Sequence, residues 1–226
     1  GFRHGCACCR SKWQLIIDTA GELVCRGPFL TMPLYFWGDQ DGTRYKAAYF
    51  RDDEAELWWH GDWALESAVT SDIKGTTDTP SERGYVIFGR SDTTLNPGGI
   101  RIGTAEIYRG LSGIDQIIDA AAVARRQDGD EQIVLFVVLA DGAVLEEQIG
   151  SASVSRSLRE HIKHTLRTQC SPRHVPREIY TVPDLPRTKS GKISEIAIRN
   201  VINNMPLDNI AALTNPESVE SFGRFV

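Results

Sequence analysis

The sequence predicts an α+β fold, with a β-rich first part followed by a part that mixes helices and strands. In the first ninety residues, short aromatic and β-branched segments alternate with turn signals. The longest apolar run, Ile133 to Ala140, has eight residues, which is typical of a buried strand and too short to span a bilayer. Two later stretches, 153–168 and 193–204, carry apolar residues at helical spacing.

Strands account for most of the predicted elements in the first part. One strand covers Gly21 to Cys25 and ends at Arg26-Gly27-Pro28, where glycine and proline interrupt pairing. Arg44 to Phe50 is aromatic and β-prone, which predicts a hairpin. Two further strands are predicted at 58–65 and 85–90.

The second part begins with a turn-rich joint, Ser91 to Gly99, after which 100–103 resumes as a strand. Thr104 is the predicted N-cap of a helix that runs to Leu111. The remaining predictions are strands at 117–125, 133–140 and 177–182, amphipathic helices at 153–168 and 193–204, a polar loop at 183–192 and a tail of little periodicity beyond Met205.

Composition excludes several functional classes. The 226 residues carry a net charge of -5, so no global basic field attracts nucleic acid or an anionic membrane. The N-terminal residues form no continuous apolar segment typical of a secretory signal, and we expect a cytoplasmic protein. The five cysteines suggest no disulfide framework; Cys6, Cys8 and Cys9 with His4 could hold a metal, but free thiols are favoured because no second ligand pair follows.

Three features could carry chemistry. Asp62 follows a glycine in an aromatic strand, and its carboxylate could accept hydrogen bonds from a vicinal diol such as ribose. Arg90 and Arg101 flank the glycine-rich joint and could bind phosphate. Lys192 ends a basic loop before a helix, although Pro186 and Ile193 stand where a Walker phosphate loop needs a glycine and a serine or threonine. Each feature alone is also compatible with an ordinary structural role.

Taken in order and spacing, these features resemble the acyl-adenylate-forming enzymes, which comprise acyl-CoA synthetases, firefly-type luciferases and peptide-synthetase adenylation domains. The segments that carry the resemblance are Gly21 to Val24, His60 to Asp62, Gly89 to Asp92, Arg101 to Ile107 and Ser190 to Lys192.

This resemblance implies an ATP-dependent acid–CoA ligase that forms an acyl-adenylate and then a thioester. ATP and CoA would be its small-molecule substrates, with Mg²⁺ accompanying ATP. Residues 1–91 would be the end of the large AMP-binding domain, with 1–20 unplaced, and 92–226 the small, mobile C-terminal domain.

The resemblance also implies roles for individual residues. Lys192 would be catalytic in adenylation. The other implied roles are nucleotide binding for Asp62, Arg90 and Arg101, the interdomain hinge for Asp92, and CoA binding for Gly99 and Arg167.

The chain departs from the family in two respects. It has no counterpart of the family's Ser/Thr/Gly-rich phosphate loop or of its aromatic-Thr-Glu motif, so it corresponds to a C-terminal part that needs an N-terminal domain in cis or in trans. Glu195 and Ile196 stand where many relatives have basic residues. A non-catalytic module that binds nucleotide or CoA, or docks on a partner, remains the alternative.

Overall fold

The computed structural model describes residues 5–9, 15–50, 57–68, 83–127, 129–146, 148–149, 156–207 and 210–226. The chain divides into two compact units, Gly1–Asp92 and Thr93–Val226. Sheets and helices occur together, which confirms the α+β prediction.

The first unit is built on a five-stranded antiparallel sheet in the order β2-β1-β3-β4-β5. Its strands are β1 (Gly5–Cys9), β2 (Leu15–Ile16), β3 (Ala20–Arg26), β4 (Leu57–Ala68) and β5 (Arg83–Arg90). These bounds confirm the strands predicted at 21–25, 58–65 and 85–90. Val24 and Trp59 are buried together on the sheet, as are Leu23 and Ala64.

The predicted hairpin at Arg44 to Phe50 is wrong, because Thr43–Tyr49 forms helix α1. The Asp39 carboxylate accepts hydrogen bonds from the backbone amides of Arg44 and Tyr45, at 3.0 and 2.8 Å, and so satisfies amides that a helix start leaves without partners. Helical spacing also brings Tyr45 and Tyr49 to one side, where both rings contact Trp58. Local β propensity therefore yields to a polar cap and aromatic packing.

The second unit contains a three-stranded sheet in the order β10-β7-β6, with helices on both faces. Its strands are β6 (Ile117–Gln127), β7 (Asp130–Leu139) and β10 (Glu178–Thr181); β7 pairs antiparallel with β6 and parallel with β10. Two-residue strands β8 (Gln148–Ile149) and β9 (Arg156–Ser157) pair separately. The helices are α2 (Thr104–Leu111), α3 (Leu158–Gln169) and α4 (Glu195–Ile202).

Strand β7 is apolar along most of its length because both of its faces are covered. Leu135 packs in a core with residues of α2 and α3, whereas Val134 and Phe136 pack in a second core with residues of α4. Alternate residues of a strand point to opposite faces, so a strand buried on both faces is a continuous apolar run. This arrangement confirms the buried strand predicted from the longest apolar run.

Three helix starts differ from the prediction, and α4 differs least, because it begins at Glu195 rather than at Ile193. Helix α3 begins at Leu158, where Ser157 and Glu160 form a reciprocal capping box; residues 151–155, which the prediction included in part, lie outside the described residues. Helix α2 begins at Thr104, which was predicted as its N-cap; Gly103 is the N-cap instead, and Thr104 is a buried first helical residue. Of the strand predicted at 100–103, the structure has a single bridge between Ile102 and Leu95.

The tail is more regular than its sequence suggests. Pro216–Phe225 forms a 3-10 helix whose Phe222 is fully buried in the core beside α4. Phe222 and Phe225 both contact the ring of Phe136 on β7. The C-terminal residues are thus part of the second unit's core.

Candidate active site

Asp62 and Arg90 are brought opposite each other by an irregularity in the β4–β5 ladder. Asp62 pairs with Arg90 and Trp63 with Gly89, after which the register shifts so that Ala64 pairs with Ile87. Gly89 has φ of 135°, a conformation that glycine tolerates and other residues rarely adopt. A bulge of this kind turns side chains in a new direction at the end of a strand. Here it places the acidic side chain of Asp62 and the basic side chain of Arg90 on neighbouring strands.

The guanidinium of Arg90 lies at the centre of a polar network. Its Nε and Nη2 donate to the two carboxylate oxygens of Asp92, each at 3.3 Å, and its Nη1 donates to the carbonyl of His60 at 3.3 Å. Nη1 also lies 3.7 Å from Oδ1 of Asp62, whose other oxygen is hydrogen-bonded to Nδ1 of His60 at 2.7 Å. Partial burial disfavours the charge on Arg90, but the hydrogen bonds to Asp92 and the surrounding carboxylates outweigh it and raise the pKa. Arg90 therefore remains a cation.

Gly61 allows the Arg90 side chain to lie close against β4. Gly61 has φ of +81°, and a Cβ there would lie 2.9 Å from Nη2 of Arg90. Directly after β5, the Ser91 hydroxyl donates to the Glu22 carboxylate, and the Ser91 amide donates to the Gly61 carbonyl at 3.0 Å. These bonds hold the Gly89 to Asp92 segment against β3 and β4.

A cleft of about 590 Å³ opens beside this network. One wall is aromatic, because the ring of Tyr49 stacks on Trp58 with 3.7 Å between centroids. Another wall contains His60, Arg90 and Asp92. The volume falls in the range of small-molecule sites, which combine apolar walls with a few polar groups.

Lys192 lies at the end of a tight turn in the second unit, and it is exposed. The Thr188 amide donates to the Lys192 carbonyl at 2.8 Å, and the Lys192 amide donates to the Thr188 hydroxyl at 3.2 Å. Gly191 has φ of +81°, and its amide donates to the Thr188 carbonyl at 2.8 Å. We call residues 187–193 the lysine turn. Its hydrogen bonds fix the backbone at Lys192, whereas the charged side chain of Lys192 is exposed.

The other predicted residues of the second unit lie on two further elements. Gly99 belongs to a 3-10 turn with φ of +77° and open space around it, and Arg101 follows it on the surface. The Gly98 amide donates to the Asp130 carboxylate at 3.0 Å, which ties this loop to β7. Arg167 lies in the last turn of α3 and is exposed. The structure therefore brings Asp62, Arg90 and Asp92 together in the first unit and distributes the remaining four over three elements of the second.

Glu195, the first residue of α4, is held within the second unit by Tyr108. The hydroxyl of Tyr108 donates to its carboxylate and accepts the amide of Ala122 at 3.0 Å. Burial, followed by the negative charge of Glu195, raises the pKa of Tyr108 well above its usual value. Glu195 thus joins α4 to α2 and, through Tyr108, to β6.

Sequence reasoning missed residues that support the site. Gly61 and Glu22 lie inside recognised segments, so their positions were visible although their contacts were not. Arg187 and Asn215 support the lysine turn; Asn215 accepts the Arg187 amide at 2.8 Å across 28 positions, a contact that no local pattern predicts.

The described part of the chain does not include the side chains on which the alternative metal site rested. Among the described residues, no group of three or more His, Cys, Asp or Glu side chains is placed to hold a metal ion. The side chains of Cys6, Cys8 and Cys9, on which that alternative rested, lie outside the described part. Within the same part of the chain, none of the helices has the length and apolar character needed to cross a membrane.

Comparison with known proteins identifies the class. Residues 109–192 match the family described as AMP-binding enzyme C-terminal domain, a match that includes Arg167 and ends at Lys192. The solved structure of an acetoacetyl-CoA synthetase from Streptomyces lividans aligns with 98% of this chain and 30% of its own, with a TM-score of 0.77 and 31% identity.

Curated sequences indicate similarity to the same kind of protein as the solved structure does. The chain is 45% identical over 202 residues to an acetoacetyl-coenzyme A synthetase of Rhizobium meliloti (strain 1021), covering 89% of this chain and 28% of that protein. It is 38% identical over 210 residues to an acetoacetyl-CoA synthetase of Caenorhabditis elegans, covering 92% of this chain and 27% of that protein. The chain thus spans little more than a quarter of the relatives it matches.

Residues 109–192 thus belong to the AMP-binding enzyme C-terminal domain family, and the chain matches a C-terminal portion of its relatives, which confirms the family resemblance read from its motifs. Within that family, the proteins to which it is similar over about nine-tenths of its length are acetoacetyl-CoA synthetases.

Proposed function

We propose that this chain is the C-terminal part of an ATP-dependent acetoacetate–CoA ligase. The observation that carries the proposal is the 45% identity to an acetoacetyl-coenzyme A synthetase along 89% of the chain. In the first half-reaction, a carboxylate oxygen of acetoacetate attacks the α-phosphorus of ATP and pyrophosphate leaves. In the second, the CoA thiolate attacks the acyl carbon of the adenylate and AMP leaves.

Lys192 supplies the cation of the first half-reaction. Negative charge accumulates between the attacking carboxylate and the α-phosphate, and a positioned ammonium group stabilises it. The lysine turn supports this role, because its backbone bonds fix the base of the side chain while the residue remains exposed. A fixed base reduces the ordering that the ammonium group needs as it meets the substrate.

Asp62 and Arg90 bind the nucleotide. The Asp62 carboxylate accepts hydrogen bonds from the ribose hydroxyls, and Arg90 contributes its positive charge beside the phosphates. The cleft beside Arg90 supports this proposal, because it combines that charge with an aromatic wall. Arg101 adds a second cation near the nucleotide.

Asp92 is the proposed hinge between the two half-reactions. It is the last residue of the first unit, and domain motions are absorbed by a few residues at such connections. Residues 1–91 then belong to the large AMP-binding domain and 92–226 to the mobile C-terminal domain. In the thioester-forming arrangement, Gly99 permits close passage of CoA and Arg167 pairs with a CoA phosphate; the open space around Gly99 is consistent with this role.

The remaining parts of the proposal concern the whole protein. The N-terminal domain, in cis or in trans, contributes the phosphate loop and the acyl pocket, and ATP enters with Mg²⁺. The requirement for ATP and CoA fits the cytoplasmic setting expected from the sequence. Use of acetoacetate assigns the enzyme to ketone-body utilisation and lipid metabolism.

The full-length protein tests this function directly. It should form AMP, pyrophosphate and acetoacetyl-CoA from ATP, acetoacetate and CoA, and should use acetoacetate in preference to acetate, propionate and butyrate. A protein that binds ATP or CoA without turnover would contradict the proposal and support the non-catalytic alternative.

A further inference from the structure

The lysine turn is held from outside by the C-terminal segment that precedes the last 3-10 helix. The Thr214 amide donates to the Arg187 carbonyl at 2.8 Å, the Lys189 amide donates to the Ala212 carbonyl at 3.2 Å, and Thr188 and Leu213 form an antiparallel bridge. This segment therefore runs beside the turn as a short added strand, although it is more than twenty positions further along the chain.

Asn215 makes side-chain contacts that reach the base of the turn. Its Oδ1 accepts the Arg187 amide at 2.8 Å, and its Nδ2 donates to the Asp184 carboxylate at 2.7 Å and to the Leu185 carbonyl at 2.9 Å. One half-buried side-chain amide thus bonds two residues just before the lysine turn and the first residue of the turn itself.

The orientation of the Asn215 side chain is unusual for its position. Asn215 is the N-cap residue of the 3-10 helix Pro216–Phe225, where an asparagine side chain commonly accepts a helix amide, yet it makes no such capping bond. The helix is anchored instead by the buried side chains of Val219 and Phe222. The Asn215 amide is therefore available to hold the turn.

Arg187 connects this support to the turn itself. Its backbone is bonded to Thr214 and Asn215, while its guanidinium donates to the Gly191 carbonyl at 3.1 Å and to the carboxylate of Asp119 on β6. Gly191 immediately precedes Lys192. A displacement of Arg187 would therefore shift the residue next to the proposed catalytic lysine.

We propose that Asn215 is a positioning residue for Lys192, so that the C-terminal segment is part of the adenylation apparatus. This inference rests on the role proposed above for Lys192. Small displacements of a catalytic group reduce rates strongly, by about 100-fold for a shift of about 1 Å. Loss of the Asn215 amide should slow adenylation without affecting transfer to CoA from an adenylate that is already formed.

The test compares both half-reactions in the full-length enzyme. In Asn215→Ala, the kcat of acetoacetate-dependent pyrophosphate exchange should fall about 10- to 100-fold with little change in KM, while thioester formation from supplied acetoacetyl-adenylate stays within about twofold of wild type. Ser221→Ala is the matched control, because it removes one hydrogen bond within the same helix, from Ser221 to the Ser218 carbonyl at 2.8 Å, and should preserve both rates.

An exchange of charge between positions 184 and 215 provides a second test of the same contact. Asn215→Asp places two carboxylates together and should slow adenylation, whereas the double variant Asp184→Asn/Asn215→Asp restores the bond between positions 184 and 215, though not the bond to the Leu185 carbonyl, and should recover part of the rate. Normal adenylation in Asn215→Ala, or equal loss of both half-reactions in that variant, would overturn the inference. Lys192→Ala separates the two proposals: normal adenylation in that variant refutes the role of Lys192, whereas a defect there with normal Asn215→Ala refutes only the positioning.

Discussion

The guanidinium of Arg90 occupies the space where any residue other than glycine at position 61 would place its Cβ, 2.9 Å from Nη2. The contact atom is the far end of a flexible side chain, so a Cβ there displaces Arg90 rather than the backbone. In this position, the guanidinium donates hydrogen bonds to the Asp92 carboxylate and to the His60 carbonyl. Gly61 therefore controls where the proposed nucleotide-binding cation lies.

Gly61→Ala should weaken ATP binding by about tenfold, the equivalent of about 1.4 kcal/mol, because Arg90 is displaced from the cleft. Positive φ at an alanine should also cost about 1–2 kcal/mol of folding stability. ATP affinity measured by calorimetry and the free energy of unfolding separate the two effects.

Gly27→Ala is the control for that experiment. Gly27 has φ of +75°, and no atom lies within 4 Å of the position that a Cβ would take, so the substitution should cost similar stability and leave ATP affinity unchanged. Equal ATP affinities in the two variants would show that displacement of Arg90 does not matter for the nucleotide.

Asp92→Pro should disable one half-reaction selectively, by about 100-fold, because proline fixes φ near -65° and holds one arrangement of the two units. Asp92→Ala removes the same bonds to Arg90 but leaves φ free, and should affect the two half-reactions by similar factors. Rates of pyrophosphate exchange and of thioester formation from supplied adenylate distinguish them. If Asp92→Pro retains both rates, Asp92 is not the hinge.

Tyr108→Phe should destabilise the protein by about 2 kcal/mol at pH 8, because it removes the hydrogen bonds to Glu195 and to the Ala122 amide. The difference should shrink as the pH rises above about 10. An unfolded tyrosine releases its proton near that pH, whereas burial and the charge of Glu195 raise the pKa of folded Tyr108. The contribution of Tyr108 is complete below the unfolded pKa and is lost as the pH rises through the folded pKa.

Denaturant unfolding of both proteins between about pH 8 and pH 11 measures this difference. Other tyrosines titrate in the same range and cancel in the comparison of wild type with the variant. A difference that stays constant across the range would mean that Tyr108 has an ordinary pKa.

The sequence predicted the longer strands well, because their signals are local. The run around Phe136 is apolar at every position since both faces of β7 are covered, and the strand containing Trp59 stands out by its aromatic residues. The prediction for the segment at Tyr45 and Tyr49 was wrong. Aromatic residues favour strands on average, whereas here the Asp39 carboxylate and the ring of Trp58 stabilise a helix. Propensity could not reveal a carboxylate cap from the preceding turn or an aromatic packing partner on β4.

Motif order identified the proposed site residues, but not the residues that hold them. Asp62, Arg90 and Lys192 stand in compact motifs that can be read from neighbouring letters. Gly61 is visible as a glycine, but its contact with Arg90 depends on the bulge at Gly89. The support from Asn215 depends on how the last segment packs, which no sequence spacing specifies.

The most direct test of the proposed function is the pair of half-reactions in full-length Lys192→Ala. Acetoacetate-dependent pyrophosphate exchange should fall by about 100- to 1,000-fold, as expected for loss of one group that stabilises transition-state charge, while thioester formation from supplied acetoacetyl-adenylate continues within a few-fold of wild type. Lys189→Ala is the control, because Lys189 is exposed on the same turn and its bond to Ala212 is made by the backbone amide, which the substitution keeps. Adenylation that survives in Lys192→Ala, or equal loss of both half-reactions, would contradict the role of Lys192.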